Sequence, residues 1–276
     1  MVNNKNFSVS MCVYEKDNPK WFETAIESVL NQSVVPTEIV LVVDGYIPNE
    51  LEEIVKKYEE KTMFKVIRFE ENQGHGKARQ AGLEACSNDL VAIMDADDIS
   101  DYKRFEKQLA VFSQCIDVDV VGGKITEFID DTNNIVGARI VPSNNEEIIK
   151  YMKKRCPMNL VTVMFKKESV ERVGGFIDWY REEDYYLWIR MAQANMKFAN
   201  LSDSLVNVRV GKEMYDRRGG IKYFKSEANL QKYMYKNKII GCSTYIMNVL
   251  KRLIVQVLLP NKLRGWVFKR FARKKV

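Results

Sequence analysis

The 276-residue chain has no CxxC pair, and its five cysteines (Cys12, Cys86, Cys115, Cys156, Cys242) are scattered and odd in number. That spacing suits neither a disulfide framework nor a metal site, so they read as reduced core thiols of a cytosolic protein. The first ten residues are polar and run straight into an apolar strand, with no long apolar h-region, so no secretory signal is expected. The longest apolar stretch of the tail, residues 253–259, falls far short of the ~20 residues that span a bilayer. No repeat near roughly 20–50 residues appears, which excludes a solenoid. Acidic residues are missing from the last segment. Residues 251–276 hold nine Lys or Arg, leaving 34 basic against 37 acidic residues in the first 250 beneath an overall charge of +6. A uniformly basic nucleic-acid binder does not look like this, so no nucleic-acid partner is expected.

What the chain does have is apolar material, 46% of its residues, enough for a sizeable core. In the first hundred residues the pattern predicts strands over 8–14, 38–43, 65–69 and 90–94, alternating with helices over 19–31, 50–61 and 75–86. Trp21, Phe22, Ala25, Ile26, Val29 and Leu30 share a face of the first helix, and Asn18-Pro19 suits its start. Ala78, Ala81, Gly82 and Ala85 give the third helix a small inward face. Alternating strands and helices of this kind make a doubly wound sheet. The second half is less regular. It predicts strands over 118–128 and 135–141 around a turn at 130–134, a helix over 144–154, and a strand over 160–165. Residues 169–173 lead into a helix stop at Gly174-Gly175, and helices follow over 183–195 and 220–238. No linker appears before about residue 215, so the expected division is a domain over 1–215 and a helical extension over 216–276.

In open parallel sheets, ligands bind beyond the carboxyl ends of the strands. Here each of those ends is polar: Tyr14-Glu15, Asp44-Gly45, Asn72-Gln73-Gly74 and Asp95-Ala96-Asp97-Asp98. Residues i and i+2 of an extended segment point the same way, so Asp95 and Asp97 bring two carboxylates together. A hard divalent cation that also touches phosphate oxygens relieves their repulsion. The alternative is a helix N-cap, which fits Asp98 or Ser100 better, because a helix over 104–112 starts just after.

These segments resemble family 2 glycosyltransferases of GT-A fold, close to the bacterial capsule, exopolysaccharide and O-antigen branch. The resemblance covers roughly residues 7–210. Residues 8–14 and 38–45 resemble the two opening strands, residues 72–82 the N-x-G-x-x-x-A-R-N-x-G segment, and residues 89–98 the D-x-D strand. Residues 183–188 resemble the acceptor-side E-D-x-x-L-W. The resemblance implies an α/β, doubly wound, mixed and mainly parallel sheet. It implies a donor site of Val13, Tyr14, Glu15, Asp44, Gly74, Arg79, Asp95 and Ala96. There Glu15 would accept from ribose hydroxyls and Asp44 from uracil N3–H, Gly74 would let the base approach, and Arg79 would lie near base and diphosphate. Asp97, with Asp95, would hold Mn²⁺ or Mg²⁺ against the diphosphate of a nucleotide-sugar, UDP-linked by the Asp44 match. The family commonly has Asn where this chain has Gln80, a change expected to be tolerated.

Transfer needs a neutralised leaving diphosphate, a base for the acceptor hydroxyl, and the two held in line. Asp184, with Glu183 beside it, is the candidate base, kept ionised by the dipole of its helix. One base attacking once inverts the anomeric centre, with no second carboxylate required. The plainer reading is an acidic first turn. Arg217 and Arg218, flanked by Gly219-Gly220, either close over the diphosphate or form a solvated turn. Trp179, Tyr180 and Tyr185 are candidates to stack on an acceptor sugar, whereas Trp188 is assigned to the core. His75 reads as a loop residue near the donor.

The tail mixes Arg264, Trp266, Phe268, Lys269, Arg270, Phe271 and Arg273. That mixture suits a helix in an anionic membrane interface, or else a helix docked on the body. The expected location is therefore peripheral, at the cytoplasmic face of the inner membrane, with a lipid-diphosphate-linked glycan acceptor. The absence of Q-x-x-R-W and of multiple spans argues against a processive synthase. A nucleotidyltransferase would need a glycine-rich loop after the first strand, where Tyr14-Glu15-Lys16-Asp17-Asn18 stands instead. A non-catalytic binding protein would not need the full set of acids.

Overall fold

The computed structural model describes residues 6–211, 219–260 and 263–264. β1 (Ser8–Val13), β2 (Glu38–Val43), β3 (Phe64–Arg68) and β4 (Leu90–Met94) are joined through α1 (Pro19–Leu30), α2 (Asn49–Glu59) and α3 (His75–Ala85). They pair in parallel in the order β3-β2-β1-β4, which brings all four carboxyl ends to one edge. β5 (Ile99–Ser100) and α4 (Arg104–Gln114) follow, then a hairpin of β6 (Val120–Ile129) and β7 (Asp131–Arg139). After α5 (Asn145–Met152) come β8 (Met164–Lys166), α6 (Lys167–Arg172), α7 (Glu183–Gln193) and β9 (Phe198–Arg209). These strands extend one curled sheet in the order β4-β8-β6-β9-β5, with β7 on β6. α8 (Ile221–Lys236) and α9 (Cys242–Leu253) close the described chain, and a π-helical turn, Ile254–Leu258, continues α9.

The sheet is buried on both faces, which is why β2 reads as an unbroken apolar run. Ile39, Leu41 and Val43 pack with α1 and α2, while Val40, Val91 and Ile93 pack with Leu83 and Trp188 on the other side. Asn18 caps α1 by accepting from the backbone N–H of Lys20 and Trp21, with Pro19 in the first turn, as its sequence suggested. Gly174 and Gly175, at φ +86° and +65°, end α6 in the left-handed region. Trp188 is fully buried.

Several expectations are corrected. The strand anticipated over 160–165 is a short 3₁₀ turn, Leu160–Thr162, followed by β8. The hairpin turn is tighter than the Asp-rich run suggested, because Asp130 takes φ 61° and β7 begins at Asp131. Neither Asp98 nor Ser100 caps α4, which has no side-chain cap; Asp98 accepts the backbone N–H of Arg209 at 2.9 Å instead. Trp21 is exposed rather than inward and covers the Arg209 guanidinium at 4.7 Å. Cys86 is a core thiol, but Cys115 and Cys242 are exposed.

Gly82 is where α3 closes on β1. A Cβ there would meet Ser10 Oγ at 2.3 Å. The expected outcome for Gly82→Ala is a loss of about 1–3 kcal/mol in chemical denaturation. Ser10→Ala in the same chain should restore most of it, because the new Cβ then sits 3.6 Å from Ser10 Cβ.

Candidate functional site

At the end of β1, the Tyr14 N–H donates to Asp17 Oδ2 at 3.0 Å, and the Tyr14 ring meets His75 edge-on at 6.0 Å. His75 is the exposed first residue of α3. Glu15 is exposed beside Lys16. At the end of β2, Asp44 is only 5% exposed. Its two oxygens accept the backbone N–H groups of Gln73 at 2.7 Å and Gly74 at 3.0 Å. Asp44 thus shapes the loop that precedes α3, and each oxygen keeps a further lone pair. Gly74 at φ +88° leads into α3 with open space around it, so a ligand can approach the backbone there. Val13 is buried, so its side chain serves the core.

Arg79, on the first turns of α3, joins the two halves of the site. It donates to Asp95 Oδ1 at 3.4 Å from one nitrogen and to Glu183 Oε1 from the other, at close range. Its side chain is 12% exposed and that of Glu183 9%, whereas that of Asp95 is 39% exposed and presents oxygen outward. Burial opposes the charge on Arg79, but Asp95 and Glu183 outweigh it and raise its pKa. The same convergence shows at Cys12: burial pushes its thiol up to about 12, Arg79 opposes this, and Asp95, Asp44 and Asp17 reinforce it. Glu183 and Arg79 are 104 positions apart, and only the fold pairs them.

Beyond Asp95, Ala96 is buried and Asp97 is partly exposed. Asp98 is buried, its carboxyl pushed well above the usual range by burial and by Asp97 and Asp95. Arg209 pins this turn from β9: its N–H holds Asp98, its Nε donates to Asp97 O at 3.2 Å, and its guanidinium lies between Trp21 and Phe128. Sequence reading named no strand over β9 and so missed Arg209. Beneath the same strand end, Arg104 is fully buried and donates to Ile93 O and Val163 O. Asp98 is buried, so Asp95 and Asp97 are the two carboxylates that the end of β4 keeps partly exposed, and among the described residues no three acidic, His or Cys groups converge as a metal cluster. Two carboxylates fit a small hard cation that takes its other oxygens from phosphate and water.

Asp184 opens α7, partly buried. One oxygen accepts the Tyr185 N–H at 2.6 Å, and the other faces Cys156 Sγ at 3.7 Å. The expected depression of its pKa by the helix is reversed. Burial, then the Glu183 charge, push it from 3.8 to about 6, against the pull of Arg79, the Tyr185 N–H and Arg139. Such a value lies close enough to neutrality for proton abstraction.

Gln80 reaches across to α7's approach, accepting the Phe176 N–H at 2.7 Å over the bare face of Gly175. Among the aromatic candidates, Tyr185 is core, its hydroxyl bonded to Met152 O. Trp179 is half-buried and donates to Ser226 O, while Tyr180 is exposed beneath Lys222. Arg217 and Arg218 lie outside the described residues, as do Trp266, Phe268, Lys269, Arg270, Phe271 and Arg273.

The model of the family described as glycosyl transferase family 2 matches residues 8–176. A Haemophilus influenzae glycosyltransferase is 40% identical over 97% of this chain and 99% of its own length. The Escherichia coli UDP-Gal:alpha-D-GlcNAc-diphosphoundecaprenol beta-1,3-galactosyltransferase is 35% identical over 97% of each. The crystal structure of Staphylococcus aureus TarS 1-349 in complex with UDP-GlcNAc superposes with a TM-score of 0.65 at 18% identity, over 90% of this chain and 72% of that one, which shows a shared fold.

Two outcomes test the site. Because Asp184 binds its proton more tightly folded than unfolded, its contribution to stability is complete below pH 3.8 and is lost as pH rises through about 6. Asp184→Asn is expected to stabilise the protein above pH 7 by up to about 3 kcal/mol and to leave stability at pH 4 unchanged, read by thermal melting. Arg79→Met leaves Glu183 buried without its partner and should cost about 3–5 kcal/mol. Adding Glu183→Gln should recover much of that in a double-mutant cycle.

Proposed function

We propose that this chain, which belongs to glycosyl transferase family 2, is an inverting glycosyltransferase. It moves a hexose or N-acetylhexosamine from a UDP-sugar to a lipid-diphosphate-linked glycan in bacterial cell-surface polysaccharide synthesis. The observation that carries the mechanism is the Arg79 bridge, which ties the Asp95 end of β4 to Glu183, one residue from Asp184. The donor half and the base of the reaction are thereby held by one side chain.

The donor lies along the edge formed by β1, β2 and β4. Glu15 accepts from the ribose, Asp44 and the loop it shapes receive the uracil, and Tyr14 borders the nucleoside. Gly74 admits the base and Arg79 answers the diphosphate charge. Asp97, with Asp95, holds Mn²⁺ or Mg²⁺, which when bound offsets the charge of the departing diphosphate. Arg217 and Arg218 are assigned to the same diphosphate. Asp184 takes the proton of the acceptor hydroxyl, whose oxygen attacks the anomeric carbon from the side opposite the diphosphate. One displacement inverts the configuration. Glu183 is occupied by the Arg79 charge, so the proton is assigned to Asp184, which is held by the Tyr185 N–H and faces the Cys156 thiol.

The donor and acceptor classes draw support from the name of the Escherichia coli relative, whose donor is UDP-Gal and whose acceptor is a GlcNAc-diphosphoundecaprenol. A lipid-linked acceptor places the enzyme at the cytoplasmic face of the inner membrane, held peripherally by its basic C-terminal segment. Among the described residues no helix is long and apolar enough to cross a membrane.

A thermal-shift panel of nucleotide-sugars, with and without Mn²⁺ or Mg²⁺, tests the donor. A UDP-sugar at 100 times its Kd should stabilise the protein by about 2.7 kcal/mol, and GDP- or dTDP-sugars should not. In transfer assays, Asp97→Ala and Asp184→Ala should each lower turnover by at least about 10²-fold. Full activity in either variant would remove that residue's role. Wild-type turnover should fall about tenfold per pH unit below about 6, the value to which Asp184 is pushed.

A further inference from the structure

α9 and its π-helical continuation are inside out for a protein in water. Past Tyr245, which packs on the core, the side that meets the body is polar. Asn248 Nδ2 donates to Lys153 O at 2.9 Å and to Gln231 Oε1 at 2.7 Å. One turn on, Arg252 pairs with Glu227 at 3.1 Å and donates to Lys154 O at 3.2 Å. A turn further, Gln256 donates to Glu227 Oε2. Asn248 and Gln256 are each 5% exposed. The opposite side is apolar and open: Ile246 is 50% exposed, Met247 51%, Leu250 52%, Ile254 49%, Val257 37% and Leu258 65%. Their spacing of three and four residues sets them on one stripe. A helix that buries its amides and guanidinium and turns six large apolar side chains outward is built for apolar surroundings on its outer side.

We propose that this stripe is the membrane-docking face of the enzyme, inserting between the headgroups of an anionic bilayer while α9 lies in the interface plane. Charge selects the occupant. No acidic residue follows Glu227, and residues 228–276 carry twelve Lys or Arg, so the sequence on either side of the stripe is cationic. The inner face fixes the orientation toward chemistry. Asn248 and Arg252 grip the carbonyls of Lys153 and Lys154, and two residues on, the Cys156 thiol faces Asp184. The segment that seats the docking helix is thus the one whose Cys156 thiol lies against the proposed base. This deepens the functional reading above and rests on it for the acceptor, but not for the lipid contact itself.

The test is cosedimentation of the full chain with vesicles of phosphatidylglycerol and of phosphatidylcholine, without donor or acceptor. The wild type should pellet with phosphatidylglycerol vesicles, more weakly at high salt, and bind phosphatidylcholine poorly. Leu250→Glu/Ile254→Glu should weaken phosphatidylglycerol binding at least tenfold at both salt levels with an unchanged melting temperature. If that pair lowers the melting temperature, Leu250→Ser/Ile254→Ser is the variant to read, with the same loss expected. Undiminished pelleting of a folded variant overturns the proposal. So does a wild-type dimer that becomes a monomer in the variant while neither binds vesicles, since the stripe would then be an interface between copies. Inactivity of the enzyme toward every UDP-sugar would sink the transfer reading without touching this one.

Discussion

A guanidinium between two carboxylates governs the geometry of the site. Arg79 stands on α3, Asp95 at the end of β4, and Glu183 at the start of α7. Each element sits in a different part of the fold, and hydrophobic contact alone would still allow small slides of one against another. A buried, doubly paired arginine removes that play, because any slide would strand a charge in a medium of low dielectric. Asp184 is adjacent to Glu183 in sequence, so fixing Glu183 fixes the approach of the proposed base.

The same site shows how one acidic run can carry separate tasks. Asp98 is buried and spends an oxygen on the Arg209 N–H, holding the turn against β9. Asp97 has its main-chain carbonyl held by Arg209 Nε while its side chain stays partly exposed. Asp95 is held from one side and open on the other. Arg104, beneath the strand end, adds a buried positive charge that Asp95 helps keep protonated although burial pulls it down to about 9. Structure and charge balance here are one problem: four carboxylates, counting Glu183, are kept close by Arg79, Arg104 and Arg209.

Burial also sets the chemistry of Asp184. Helix-start position favours a charged carboxylate, but that influence is a fraction of a kcal/mol to about 1 kcal/mol, whereas desolvation and a neighbouring Glu183 shift the balance further in the other direction. The C-terminal helices contribute to this enclosure through Glu227, Arg252 and Asn248, which seat α9 against the loop that carries Cys156.

The parallel half of the sheet was legible in the sequence, because strands buried on both faces leave apolar runs, and polar groups at each run's end mark the ligand edge. Asp95, Asp97, Arg79 and Asp184 were all named as candidates that way or through the family segments that contain them. Membership of the family was likewise carried by sequence alone. What the sequence could not disclose were the relations between distant residues: Arg79 with Glu183, Arg209 with Asp98, and the seating of Asn248 and Arg252 on Lys153 and Lys154. Periodicity reports which residues of one element share a face, not which element that face meets. For the same reason the pattern of α9 was ambiguous, since an apolar stripe opposite a polar one marks an interface without saying which stripe turns inward. Only the tertiary structure decided that the polar side packs on the body, because only there do Glu227 and two backbone carbonyls arrive to satisfy it.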